Sequence, residues 1–107
     1  MMKALETTEQ FNEVIQSETP IIVKFYGTWC PDCQRMNMFI GDILDEYDHV
    51  TWYEINRDDV PELAQKYEVM GIPSLLVFQK GEKLAHLHSA YAKTPDEVRD
   101  FLVEQNL

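Results

Sequence analysis

The stretch Ile21-Ile22-Val23-Lys24-Phe25-Tyr26-Gly27-Thr28-Trp29-Cys30-Pro31-Asp32-Cys33 decides how this chain is read. Ile21 to Tyr26 is apolar except at Lys24, the pattern of a central strand covered on both faces. A helix is expected directly after it. Pro31 suits a first helical turn, and Met36, Phe39, Ile40, Ile43, Leu44 and Tyr47 carry an apolar stripe on for more than three turns. The only two cysteines, Cys30 and Cys33, stand at that junction. A thiol at a helix N-terminus faces unpaired N–H groups and the positive end of the helix dipole, both of which favour thiolate. A second thiol one turn later can release a mixed disulfide by attack within the same chain. Cys30, at or next to the cap, is therefore expected to be the exposed nucleophile. Cys33, inside the first turn, is expected to be the buried resolving thiol.

Outward from this junction, helical spacing recurs three more times. Phe11, Val14 and Ile15 follow a candidate cap at Thr7, with Gln10 three residues on. Leu63, Ala64 and Tyr67 mark a shorter helix. Val98, Phe101 and Leu102 mark the last, whose start carries Thr94 as cap, Pro95 at the first position and Glu97 to complete a capping box. Strand-like runs lie at Thr51–Asn56, at Leu75–Phe78 and, after a Lys80-Gly81 turn, at Lys83–His88, with a weaker one at Lys3–Leu5. Helices between strands imply parallel crossovers, and the final hairpin adds an antiparallel edge. The expectation is one α/β domain over residues 1–107, with a mixed sheet of four to five strands flanked by about four helices.

Charge narrows the partners. Nine Lys plus Arg against nineteen Asp plus Glu give a net charge of −10. Such a surface repels phosphate backbones and anionic lipid, so neither nucleic acid nor membrane is expected as a partner. No apolar run approaches the roughly 20 residues that span a bilayer. The first residues carry neither a long apolar core nor a small-residue cleavage site, so a cytoplasmic location is expected. A small, strongly charged domain of this kind is expected to be a monomer.

Two other uses of the cysteine pair are weaker. Zinc would need two more ligands, and His86 and His88 are two apart on a predicted strand, so no metal is expected; His49 is the only other histidine. A structural disulfide across two intervening residues closes too small a loop to stabilise much. Dithiol redox chemistry remains.

With these residues in place the chain resembles the thioredoxin family over nearly its whole length. The resemblance rests on the aromatic-rich strand before Trp29-Cys30-Pro31-Asp32-Cys33, on Gly71-Ile72-Pro73 before an apolar strand, and on the Lys80-Gly81 turn. It implies a thioredoxin fold and a dithiol–disulfide oxidoreductase that serves electron transport and cell redox homeostasis. Pro73 would be the family's cis-proline beside the cysteines, the Ile72 backbone would bind substrate, and Trp29 would be the surface Trp over the site. The resemblance implies disulfide-containing protein substrates and electrons from a flavin- and NADPH-dependent thioredoxin reductase, with no cofactor bound by the chain itself. Rival outcomes are a disulfide oxidant or isomerase, or a binding module using the Ile72–Pro73 groove without turnover.

The chain also departs from the family. Pro31-Asp32 replaces the usual Gly-Pro, and Pro31 and Asp32 are expected to border the substrate site. Asp32 is an anion that should oppose the Cys30 thiolate and so make the protein a weaker oxidant. Lys24 stands where the family carries a buried Asp that accepts the resolving cysteine's proton, and Glu54 falls where it carries the facing Lys. This looks like a charge-swapped pair, with Glu54 expected to take the Cys33 proton and Lys24 to favour the Cys33 thiolate. The alternative is that Lys24 snorkels to solvent with Glu54 unconnected. Ser89 replaces a usual Gly beside the groove, and Tyr26 and Met70 are expected at its border.

Overall fold

Alternation along the central strand sets the architecture. The computed structural model describes residues 2–107. In chain order it contains β1 (Met2–Leu5), α1 (Thr8–Val14), β2 (Ile21–Tyr26), α2 (Pro31–Glu46), β3 (Thr51–Asn56), α3 (Pro61–Lys66), β4 (Ser74–Gln79), β5 (Glu82–Leu87) and α4 (Pro95–Glu104). The strands form one sheet in the order β1-β3-β2-β4-β5. Successive side chains on a strand point to opposite faces. Val23 and Phe25 accordingly join Phe11, Ile55, Leu63 and Phe78 under α1 and α3. Ile22 joins Met36, Ile43, Trp52, Val98 and Leu102 under α2 and α4. Two apolar layers, one on each face, hold β2 between them, as its nearly continuous apolar run requires.

The sheet is parallel for β1·β3 and β2·β3, and antiparallel for β2·β4 and β4·β5. This corrects one expectation. The connection through α3 was expected to be a parallel crossover, yet β4 runs antiparallel to β2. The chain turns back after α3 instead of climbing over the sheet again. Glu68 adopts a left-handed φ of 59° there, and its neighbour Val69 donates its N–H to the Ala64 carbonyl at 2.8 Å, closing the end of α3. That reversal delivers Met70–Pro73 to the end of the sheet where β2 feeds α2.

Local signals behave as their chemistry demands. Lys80 and Gly81 both have positive φ, 53° and 83°, the backbone of a two-residue hairpin turn whose twist matches the flanking strands. Thr94 and Glu97 form the reciprocal capping box at α4. At α1 the Thr7 side chain accepts the Gln10 N–H, while the Gln10 side chain reaches the N–H of Glu6 and not that of the cap. Among the described residues no helix is long and apolar enough to cross a membrane.

Candidate active site

The site lies where β2 ends and α2 begins. Cys30 is the N-cap of α2, Pro31 occupies the first turn, and Cys33 is the third helical residue. The two cysteines are joined as a disulfide. The Cys30 sulfur takes the place usually held by a serine or aspartate oxygen and accepts the Cys33 N–H at 3.1 Å. An anion at this atom receives both that N–H and the helix dipole. Opposite it, the Ile72 carbonyl oxygen lies 3.7 Å from the same sulfur. The Ile72–Pro73 peptide bond is cis.

One expectation about the pair is corrected. Cys30 was expected to be exposed, but only 6% of its surface is open, against 3% for Cys33. Capping the helix draws its sulfur inward, and the Ile72 carbonyl covers it from the other side. Trp29, beside the pair in sequence, is 94% exposed, and Met70, on the cis-proline loop, is 87% exposed. Tyr26 is half-buried.

Ser89 meets this loop from the other side. Its Oγ fills the space that a Cβ at residue 71 would need, so Gly71 is the residue that makes room for it. The side chain that Ser89 adds is thus accommodated in the backbone next to Ile72. Asn56 ties the cysteine loop to the end of β3 through a 3.3 Å hydrogen bond from its amide to the Thr28 hydroxyl.

On the strand that feeds the cysteine helix, Lys24 is 2% exposed and is the one charged residue in the core among the described residues. Lys24 and Glu54 are register partners on β2 and β3, as expected. Among the described residues they form no ion pair. Lys24 instead donates to the Asn37 side-chain carbonyl of α2 at 2.6 Å and lies 6.0 Å from the centre of the Tyr26 ring. Asn37 is one turn beyond Cys33 on the same helix face. Burial lowers the Lys24 pKa, and the nearby Glu54 charge opposes that. Tyr26 is pushed up by burial first, then by Glu54 and Asp59. Asn37 and Glu54 both line an open hollow of about 560 Å³ between α2 and the β1–β3 edge. Asn37, the hydrogen-bond partner of the buried ammonium, thus also faces this hollow.

Asp32 is not the isolated anion its sequence context suggests. It pairs with Lys93, from the segment just before α4, and with Arg35 at 3.6 Å. The Lys93 hydrogen bond, with the charges of Lys93 and Arg35, holds the Asp32 carboxyl below the usual range. Lys93 and Asn37 are site residues that sequence reasoning missed. The helical period from Cys33 would have found Asn37. Lys93 lies 61 positions from its partner, and no local pattern could have found it.

Comparison with known proteins identifies the assembly. The thioredoxin family model matches residues 2–104. The chain belongs to the thioredoxin family. Thioredoxin-1 of Saccharomyces cerevisiae is 30% identical over 90 residues, covering 84% of this chain and 87% of the yeast protein. Glutaredoxin 3 of Danio rerio is 33% identical over 86 residues, 78% of this chain, but the chain spans only 26% of that relative's length. The Malassezia sympodialis thioredoxin structure superposes with a TM-score of 0.84 at 21% identity, covering 97% of this chain and 90% of the other, a likeness of fold. The thioredoxin domain is a dithiol–disulfide oxidoreductase domain, and Cys30–Cys33 is its redox-active pair.

Proposed function

We propose that this thioredoxin domain works as a cytosolic protein-disulfide reductase, with Cys30 as nucleophile and Cys33 as resolving thiol. The observation that carries the reading is the Cys30 sulfur itself: it caps α2, accepts the Cys33 N–H, and faces the Ile72 carbonyl beside Pro73. In the reduced protein the Cys30 thiolate attacks one sulfur of a substrate disulfide. A mixed disulfide forms and the other substrate sulfur leaves as a thiolate that takes up a proton. Cys33, once deprotonated, attacks the Cys30 sulfur, releases the second substrate thiol and closes the Cys30–Cys33 disulfide. Two electrons pass to the substrate. Returning them requires an external dithiol donor, in this family an NADPH-dependent thioredoxin reductase.

Trp29, Pro31, Met70, Ile72, Pro73 and Ser89 form the docking edge for an extended substrate chain, with Asp32 at its margin. The exposure of Trp29 and Met70 supports this. Lys24 and Glu54 serve the Cys33 proton: Glu54 accepts it through water in the hollow, and the Lys24 ammonium favours the thiolate left behind. Their register and the shared lining of Glu54 and Asn37 support this role. The protein acts as a monomer.

Trapping tests the assignment of the two thiols. In Cys33→Ser, resolution is blocked and substrate proteins should accumulate as disulfide adducts on Cys30. In Cys30→Ser such adducts should be absent. Equal trapping by both variants would overturn the assignment, and partner binding that survives without any turnover in the wild type would replace the reductase with a binding module.

A further inference from the structure

Helix α2 is tied to α4 or its entry segment at both ends by ion pairs, but only one tie touches the redox site. At the far end, Arg99 of α4 grips Glu46 in a two-pronged pair, Nε to Oε1 at 3.1 Å and Nη2 to Oε2 at 2.8 Å. At the cysteine end, Lys93 reaches across to Asp32, one of the two residues between the cysteines. Lys93 is held for this contact. Its own N–H donates to Glu97 Oε1 at 3.0 Å, the same oxygen that takes the Thr94 N–H in the α4 capping box. Its neighbour Ala92 is buried at 2% exposure. The capping box of α4 therefore fixes the segment that delivers the ammonium.

We propose that Lys93 is a positioning residue for the thiol–disulfide exchange: by pairing with Asp32 it cancels the anion beside Cys30 and keeps the Cys30 thiolate accessible. An unpaired carboxylate two positions from Cys30, within the same helical turn, raises the cost of a second negative charge there. The paired carboxylate does not. Arg35 adds to the cancellation from the next turn, but at 3.6 Å and largely exposed it is the weaker partner. The unusual Pro31-Asp32 insert thus behaves as an uncharged one as long as Lys93 is present. The inference rests on Cys30 being the attacking thiol.

Three variants and two readouts test it: the pH dependence of Cys30 alkylation in the reduced protein, and the equilibrium of the Cys30–Cys33 couple with reduced and oxidised glutathione. Lys93→Gln should raise the apparent Cys30 pKa. It should also shift the glutathione equilibrium toward the protein disulfide by about two- to fivefold, the range of a solvent-exposed charge pair. Adding Asp32→Asn to Lys93→Gln should return both readouts to wild-type values, because neither charge is then left unbalanced. Arg99→Gln, which cuts the other tie, should lower thermal stability and leave both readouts unchanged. Unchanged readouts in Lys93→Gln would overturn the proposal. So would an equal shift in Arg99→Gln, which would assign the effect to loosening of α4. If alkylation of the wild type occurs first at Cys33, the assignment of the nucleophile fails instead, and the two failures are distinguishable.

Discussion

The two faces of the sheet share one strand and use it differently. On the α1/α3 face, β2 presents Val23 and Phe25 to a dry layer in which the Phe11 ring packs against Phe25, Phe78 and Tyr67 with centroids 5.3–6.0 Å apart. On the α2/α4 face it presents Ile22 and then Lys24, a buried ammonium hydrogen-bonded to the Asn37 side chain beside an open hollow. One face is spent on cohesion. The other gives up cohesion to place a charge beneath the cysteine helix. Destabilising the first face should leave redox behaviour alone, and altering the second should change redox behaviour with little loss of stability.

The largest expected effect lies on the dry face. Phe11→Ala removes a fully buried ring and leaves a cavity, which should cost about 3–5 kcal/mol of unfolding free energy in urea titrations. The potential of the disulfide in the fraction that remains folded should not move. A shift in potential as large as that in stability would erase the distinction between the faces.

The next effect lies on the other face. Lys24→Ala and Glu54→Gln should slow the resolving step by on the order of tenfold or more, as loss of a proton-transfer group does, and should change the Cys33 pKa. Replacing a buried charge by an uncharged group is often near neutral for stability, so the unfolding midpoint of Lys24→Met should stay close to wild type. Unchanged Cys33 titration and unchanged exchange rates in both Lys24→Ala and Glu54→Gln would sink the proton role.

The smallest effect sharpens the comparison at the sheet edge. His86, on β5, shares its face with Leu76 of the dry layer, stacks on His88 at 3.7 Å and takes a hydrogen bond at Nδ1 from the Lys83 ammonium at 3.2 Å. Lys donates only, so Nδ1 is unprotonated and the ring is neutral. Burial, then the charges of His88 and Lys83, lower its pKa from 6.5 to about 4. Between those values the unfolded chain binds a proton that the folded one refuses, so stability falls as pH drops through that window. Replacing His86 by Gln should flatten the decline by roughly a few degrees in Tm between pH 6.5 and 4, without altering the disulfide couple. The paired carboxylates Asp32, Glu46 and Glu62, whose pKa values are lowered, lose their contribution only at lower pH, as it falls through those depressed values.

What could be read without coordinates follows the range of the interactions. The strand before Cys30, the helix after it and the Lys80-Gly81 turn are short-range matters of periodicity and backbone chemistry, and each forms where expected. The register of Lys24 with Glu54 was legible only through the family resemblance, which puts the two positions opposite each other on neighbouring strands. The direction of β4 did not, since a helix between two strands favours a parallel crossover and only the reversal at Glu68 decides otherwise. Burial of Cys30 escaped notice because a cap position says where a sulfur begins, not that the Ile72 carbonyl will close over it. Lys93 was invisible because its partner is brought near only by the packing of α4 against α2. Asp32 was read as an isolated charge for the same reason.

The measurement that bears most directly on the whole account is the equilibrium potential of the Cys30–Cys33 couple in defined thiol buffers, followed through the fluorescence of the neighbouring Trp29. A protein-disulfide reductase should give a value near or below about −250 mV, in the range of the reducing members of this chemistry. A value above about −200 mV would contradict the account and make the protein a disulfide oxidant or isomerase.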